Sequence, residues 1–256
     1  MEERIWTIYL SVWLTVFGAA LGSFLACAVS RWAAGERMFA GRSRCASCGH
    51  VLSFPDLFPV FSYLFLRGKC RYCGAGIPAD CLASELAGAA SFLLLAWSVP
   101  PSRLPCWLIF AAVLLAVSLA DQARRIIPGG LLLALLANRI VWFFVWREDV
   151  SVIFEALKAL LVPAALLALV LLGERLTRRE LMGGGDIKLL LALACYLSWA
   201  QLLLALLAGC VFGLVLALLS GRKGGTAVPF GPFLAAGALA AVTLGGPLIR
   251  WYFGLF

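Results

Sequence analysis

The sequence predicts an all-α polytopic membrane protein with about eight transmembrane helices and one small loop domain. Of its 256 residues, 63% are hydrophobic and 13% are charged, whereas a soluble domain carries about 25% charged residues. Apolar segments recur along the chain, and most are long enough for a helix to cross a bilayer. The formal net charge of +8 arises from short loops between these segments, a pattern that favours membrane orientation over nucleic-acid binding.

Eight apolar segments are predicted to be transmembrane helices, of which the sixth is the shortest. They are 6–29, 82–99, 105–120, 128–146, 152–173, 187–197, 200–219 and 233–256. Arginine and lysine concentrate in the alternate loops 31–80, 121–127, 174–188 and 221–228, which the positive-inside rule places in the cytoplasm. The amino terminus then lies outside the cytoplasm. We divide the chain into residues 1–103, with two spans and the cytoplasmic loop 31–80, and residues 104–256, with six helices.

The cytoplasmic loop carries two CxxC pairs, Cys45 with Cys48 and Cys70 with Cys73, and a glycine follows each pair. One CxxC turn aims two thiolates at one ion, and two such turns supply the four tetrahedral ligands of a zinc site. Two disulfides or two redox pairs are the alternatives, although a reducing cytoplasm disfavours stable disulfides. We predict one structural zinc ion that takes no part in chemistry, because four protein ligands leave no open coordination position.

Two aspartates, Asp121 and Asp186, lie at the cytoplasmic ends of the third and sixth predicted spans. Ionisable residues at membrane depth are costly and are functional candidates by default. Gly183, Gly184 and Gly185 precede Asp186 and let backbone or substrate approach its carboxylate. Two carboxylates that converge on one water can share a proton, so one acts as base while the other protonates a scissile carbonyl, as in aspartic proteases. The alternatives are a helix cap at Asp186 and a salt bridge from Asp121 to a neighbouring arginine.

Along most of its length the chain resembles the type IV prepilin peptidases, the bacterial branch of the GxGD intramembrane aspartic proteases. The matching stretches are Gly22-Ser23-Phe24-Leu25, both CxxC pairs, Ser62-Tyr63-Leu64, Arg67-Gly68-Lys69-Cys70-Arg71-Tyr72-Cys73-Gly74, Glu85-Leu86, Asp121 with Ile127-Pro128, Gly183-Gly184-Gly185-Asp186-Ile187-Lys188, and Pro229-Phe230-Gly231-Pro232-Phe233. The GxGD pattern alone is short, but this order and spacing, together with the paired cysteines, is highly specific.

The resemblance implies that Asp121 and Asp186 are catalytic and that the four cysteines bind the metal. It implies an enzyme of the bacterial inner membrane that removes the short basic leader of type IV prepilins and pseudopilins, the latter belonging to type II secretion. Many members then methylate the new amino terminus, so S-adenosylmethionine is expected as a methyl donor beside zinc. Ala26 stands where the family often has asparagine, in the region associated with methylation. A peptidase without methyltransferase activity is therefore the alternative.

Other residues in the matching stretches are expected to support catalysis or contact ligands. Gly183, Gly184, Gly185 and Lys188 are expected to support the catalytic loop, and Glu85, Pro229, Phe230, Gly231 and Pro232 to contact the substrate or the methyl donor. For Glu85, a salt bridge to a loop arginine is the alternative. A non-enzymatic zinc-loop scaffold is disfavoured because both aspartates are present. A proton-coupled transporter is disfavoured because the chain shows no internal repeat.

Overall fold

The computed structural model describes residues 2–38, 41–147, 151–178, 182–219 and 229–254. The described helices are α1 (Glu2–Ala33), α2 (Phe61–Phe65), α3 (Ala79–Ser98), α4 (Leu104–Arg124), α5 (Gly129–Trp146), α6 (Ser151–Thr177), α7 (Gly184–Ala194), α8 (Trp199–Leu219), α9 (Gly231–Thr243) and α10 (Gly245–Phe253), and a 3-10 turn covers Phe54–Leu57. Beyond helices and turns, the described part of the chain contains only two isolated β-bridges. The predicted all-α class is confirmed, whereas the predicted basic loop 221–228 lies outside the described residues.

Five of the described helices, α1, α3, α4, α6 and α8, are long and apolar enough to cross a membrane. They correspond to the first, second, third, fifth and seventh predicted spans. The predicted spans at 128–146 and 187–197 form the shorter helices α5 and α7. At about 1.5 Å per residue, the eleven residues of α7 cover only about half of a bilayer core that is about 30 Å thick.

The predicted last span, 233–256, is divided into two helices in the structure. α9 ends at Thr243, and α10 begins after a single turn residue, Leu244. The sequence Gly245-Gly246-Pro247 explains the division. Glycine is a poor helix former, and proline, which lacks an amide hydrogen, is tolerated in the first turn of a helix but breaks its interior.

The chain forms two compact units, one ending at Leu119 and one beginning at Ala120. In the first unit, α1 and α3 pack closely because glycines face each other along the contact. A methyl group on Gly18 would overlap the backbone carbonyl of Gly88, and one on Gly22 would overlap that of Ser84. Small residues of this kind let membrane helices approach backbone to backbone.

In the second unit, the short helix α7 lies inside a shell formed by α5, α6, α8 and α9. Its residues Leu189, Leu190 and Leu193 have no exposed surface. Helix ends at membrane depth are tolerated where protein covers them. The enclosing helices therefore explain how a helix too short to span can begin with an aspartate.

Candidate active site and metal centre

Asp121 lies in the last turn of α4, and its side chain is buried, with 6% of the residue exposed. The helix ends three residues later, at Arg124, because Arg125 adopts a left-handed conformation, with φ of 54°, and Pro128 follows. The Asp121 Oδ2 atom accepts a hydrogen bond of 2.9 Å from the backbone amide of Gly231. Arg125 is near enough to attract the carboxylate electrostatically.

The Gly231 amide is available to Asp121 because it belongs to the first residue of α9. Pro232 has no amide hydrogen, and the amides of Phe233 and Leu234 donate to the carbonyl of Phe230. The amino terminus of a helix carries a partial positive charge, so this position favours a carboxylate. The structure thus places the Pro229-Phe230-Gly231-Pro232 turn, singled out in the sequence, directly against Asp121.

Asp186 is the third residue of α7, and it is half-buried. Its amide donates to the carbonyl of Gly183, which caps the helix. Its carboxylate turns back over the glycines, since a methyl group on Gly183 would lie 3.4 Å from Asp186 Oδ2. The carboxylate therefore sits at a helix amino terminus, where a negative charge is stabilised.

The two aspartates come together through the turn that follows α4. Gly185 packs against Ile127 of this turn, so that a methyl group on Gly185 would lie 3.4 Å from the Ile127 side chain. Asp186 lies within electrostatic range of Asp121. Two carboxylates from separate helices, one buried and one half-buried, thus interact electrostatically. Such a pair can act on one water molecule as general base and general acid.

The two CxxC turns of the loop have the same backbone structure. In the first, the Gly49 amide donates to Cys45 O and the Cys45 amide to His50 O. In the second, the Gly74 amide donates to Cys70 O and the Cys70 amide to the carbonyl five residues later. Both glycines have φ of 72°, a left-handed conformation that glycine adopts without strain.

The four cysteines converge on one point, and the described loop contains no disulfide between them. All four sulfur atoms lie within 4.8 Å of one another, and Cys45 Sγ is 3.8 Å from Cys73 Sγ. Tetrahedral zinc with Zn–S bonds of about 2.3 Å separates its sulfurs by about 3.8 Å. The residues therefore fit a zinc ion. His50 stays outside the cluster and stacks on Tyr72, with ring centres 3.7 Å apart.

Comparison with known proteins places the chain in a family. Residues 16–99 match the bacterial peptidase A24 N-terminal domain, and residues 108–218 match the type IV leader peptidase family. The chain belongs to the type IV leader peptidase family. The prepilin leader peptidase/N-methyltransferase of Dichelobacter nodosus is 35% identical over 216 residues, which cover 84% of this chain and 74% of that protein. The protein of the same name from Burkholderia pseudomallei strain K96243 is 34% identical over 240 residues, covering 92% and 77%. No solved structure matches the chain.

As a member of this family the chain is a peptidase, and the two candidate sites fall in different family regions. The cysteine cluster lies within the N-terminal domain match, and both aspartates lie within the leader peptidase match. The hydrogen-bond donor of Asp121, Gly231, lies beyond the matched residues. The structure is therefore what connects the Pro229-Phe230-Gly231-Pro232 turn with the peptidase region.

Asp56 connects the segment between the cysteine pairs to the second pair, and sequence reasoning missed it. Its side chain is 3% exposed and accepts hydrogen bonds from Ser53 Oγ at 2.6 Å, Tyr72 Oη at 2.9 Å and Arg71 Nε at 2.8 Å. The hydrogen bonds from Ser53, together with those from Tyr72 and the charge of Arg71, lower the pKa of Asp56 to about 2. The signal in the sequence is weak, because an aspartate three residues after a serine is common at turns.

The structure describes the surroundings of Glu85 and Lys188, whose expected roles stay predictions. Glu85 is buried in α3, with 8% exposed, and its Oε2 atom accepts a 2.7 Å hydrogen bond from the Val60 amide. This bond is to the loop backbone, whereas the sequence suggested a ligand or an arginine. Lys188 is exposed and two residues from Asp186, and side chains at that spacing do not face each other on a helix.

A polar contact between α5 and the end of α7 was also missed. Arg139 Nε donates to Cys195 O at 2.8 Å, Asn138 Nδ2 donates to Tyr196 Oη at 2.8 Å, and Tyr196 Oη donates to Leu135 O at 2.6 Å. A cation at a helix carboxy terminus is stabilising, so the contact of Arg139 with Cys195 stabilises the end of α7. The adjacent Asn138 and Arg139 within an apolar segment were the available signal, because polar residues at membrane depth have partners.

Proposed function

We propose that this chain is a leader peptidase of type IV prepilins or pseudopilins and that Asp121 and Asp186 are its catalytic pair. The observation that carries the proposal is that the two carboxylates lie within electrostatic range of each other. Asp121 lies at the end of α4 and accepts a hydrogen bond from the start of α9, and Asp186 lies at the start of α7. The names of the relatives supply the substrate class. Substrates of this kind belong to type IV pili or to type II secretion.

In the proposed reaction, one carboxylate removes a proton from water, and the oxygen of that water attacks the scissile carbonyl carbon. The other carboxyl group, protonated, gives its proton to the carbonyl oxygen, and a tetrahedral diol forms. The diol collapses when the carbon–nitrogen bond breaks: the first carboxyl group gives its proton to the nitrogen, and the second, now ionised, takes a proton from a diol hydroxyl. Since Asp121 Oδ2 accepts the Gly231 amide, Oδ1 is the atom of Asp121 that exchanges protons.

We further propose that the enzyme lies in the bacterial inner membrane and works at the cytoplasmic face. The basic residues of alternate loops support this orientation, which places the amino terminus outside the cytoplasm. The predicted eight apolar segments would then comprise five full spans, α1, α3, α4, α6 and α8, and three shorter elements, α5, α7 and α9 with α10. This arrangement would put Asp121 and Asp186 at the cytoplasmic ends of α4 and α7.

The cysteine cluster is proposed to hold one structural zinc ion through Cys45, Cys48, Cys70 and Cys73. Bound there, zinc would supply no chemistry beyond tying the two knuckles together, because all four positions are protein ligands. The bound ion would fix the distance between the two turns. The segment between the turns, including Asp56, is thereby held in a closed loop.

Methylation of the new amino terminus with S-adenosylmethionine is proposed from the relatives' names alone. A cavity of the amino-terminal unit has a volume of about 270 Å³ and is lined in part by Ser23, Cys27 and Arg31. This volume is smaller than that of typical ligand pockets, which is about 300–1,000 Å³. Arg31 already donates to the carbonyls of Gly41 and Arg42. The cavity does not fit the whole donor, and we derive no step through it.

The test is incubation of the purified full chain in lipid nanodiscs with a prepilin that carries its leader, followed by mass measurement of the products. The proposal expects a free leader and a shortened pilin, and a further gain of one methyl group when S-adenosylmethionine is present. An intact prepilin after prolonged incubation with folded enzyme would refute the peptidase assignment. A cleaved product that never gains a methyl group would refute the methyltransferase part. Ala26 would then be the first residue to test as the cause of the missing activity.

A further inference from the structure

Several large apolar side chains of the segment between the two cysteine knuckles are exposed. They are Phe54, Phe58, Phe61, Leu64 and Phe65, which we call the phenylalanine cluster. Phe54 is 78% exposed and Phe65 is 84% exposed. The rings of Phe58 and Phe61 contact each other, with centres 5.7 Å apart, and a groove of about 470 Å³ runs between the 3-10 turn and α2. A contiguous apolar surface of this kind marks an interaction site.

The cluster is held in place by a turn at its centre. Val60 has φ of 62° and ψ of −50°, and the Phe61 amide donates to Pro59 O at 2.6 Å, which defines a γ-turn of the rare, strained kind. Left-handed φ is unfavourable for a β-branched residue. The hydrogen bond from the Val60 amide to buried Glu85 stabilises the turn and ties the cluster to α3.

The attachment to Glu85 sets the depth of the cluster. Glu85 is the seventh residue of α3, which is long and apolar enough to cross a membrane. At about 1.5 Å per residue it lies about 9 Å along the helix from the first residue, Ala79. Segments that bind at the membrane interface bury their apolar side chains about 5–10 Å into the boundary between headgroups and acyl chains. With Ala79 at the membrane surface, the Val60 turn would lie at the level of that boundary.

The basic residues that follow the cluster also indicate a membrane surface as its partner. Arg67 and Lys69 follow the cluster directly and are exposed, and Arg71, two residues on, is also exposed although it pairs with Asp56. Phenylalanine beside arginine and lysine is the composition of segments that bind anionic lipid surfaces. The same cations would repel the short basic leader that the family resemblance implies for the substrate.

We propose that the phenylalanine cluster is a lipid-binding surface, which inserts its rings into an anionic membrane interface and fixes the cysteine loop against the bilayer. Glu85 is then a positioning residue, because it holds the turn that aims the rings. The inference is independent of the peptidase proposal. It concerns where the loop sits, and its test requires no cleavage.

The experiment places an environment-sensitive fluorescent amino acid at Phe65 of the full chain, in nanodiscs of phosphatidylglycerol and phosphatidylethanolamine. Lipids brominated near the headgroup end of the acyl chains serve as quenchers. Matched labels replace Leu94, an exposed residue of α3, as the lipid control, and Glu36, an exposed loop residue, as the aqueous control. We expect quenching at Phe65 at least twofold stronger than at Glu36 and comparable with that at Leu94.

Equal quenching at Phe65 and Glu36 by brominated lipid, with equal access of iodide to both labels, would overturn the proposal. A response at Phe65 only after addition of a quencher-labelled prepilin would assign the cluster to the substrate. Self-quenching that appears only with two labelled copies per disc would assign it to a second copy, and either result contradicts lipid binding. The double variant Arg67→Gln with Lys69→Gln should reduce quenching in anionic discs and leave it unchanged in phosphatidylcholine discs; unchanged quenching in both would refute anionic recognition.

Discussion

Replacement of Gly231 by alanine tests how Asp121 is held. Alanine keeps the amide donor, but its methyl group would lie 2.7 Å from Asp121 Oδ2 and 3.1 Å from Cγ. The distance to Oδ2 is too short for a real contact and that to Cγ is tight, so the carboxylate must move away from the amide. The bond that is lost has a charged acceptor and is worth about 1.5–3 kcal/mol. If the whole of this energy is lost from the transition state, the rate of cleavage falls about 10- to 100-fold.

The assay is kcat/KM for leader cleavage by the full chain in nanodiscs, measured from the product masses. Gly130→Ala is the matched control, because a methyl group there meets open space and should leave kcat/KM unchanged. Thermal unfolding of both variants shows whether the protein still folds. If folded Gly231→Ala protein cleaves at the wild-type rate, Asp121 does not depend on this contact, and the assignment of Oδ1 as its proton-exchanging atom loses its basis.

Three further substitutions test residues that hold the active site and the cysteine loop in place. Arg139→Met should remove the cap on α7, speed hydrogen exchange of residues 184–196 and lower kcat about tenfold, whereas Arg147→Met should change neither; equal effects would contradict the capping role. Cys70→Ser should reduce zinc from about one ion per chain, and Cys210→Ser should not; no zinc in freshly purified wild-type protein would refute the metal site. Asp56→Asn should destabilise the loop by about 1.5–3 kcal/mol above pH 4, seen as faster hydrogen exchange of residues 53–57. Because the folded pKa is about 2 and the unfolded pKa about 4, the stabilisation is present above pH 4 and is lost as pH falls through 2; a difference that persists at pH 2 would refute it.

The cysteine knuckles could be predicted because their structure is local. A CxxC pair followed by glycine specifies a tight turn through nearby hydrogen bonds, and the two turns of this chain repeat the same bonds. Only the distance between Cys45 and Cys73 depends on the fold. The all-α class could likewise be predicted, because long apolar segments in lipid must satisfy their backbone groups within helices.

The contacts around Asp121 could not be predicted from spacing. Gly231 is 110 residues further along the chain, and its amide is available only because of the way α9 begins. The same holds for Glu85, whose partner is the amide of Val60 in a strained turn that only tertiary contacts maintain. The eleven-residue length of α7 agrees with the predicted segment 187–197, whereas the tertiary contacts at its end could not be predicted. The hydrogen bond between Arg139 and Cys195 at this end joins residues that are 56 positions apart in the chain.

The central claim is that two carboxylates perform the cleavage, and the most direct measurement is single-turnover cleavage by Asp121→Asn and Asp186→Asn. Each change keeps size and shape and removes one ionisable group. Asp80→Asn, at an exposed position of α3, is the matched control. The account predicts that either active-site variant, folded and inserted in nanodiscs, yields no detectable mature pilin while Asp80→Asn cleaves at the wild-type rate. Cleavage at a near wild-type rate by either Asp121→Asn or Asp186→Asn would contradict it.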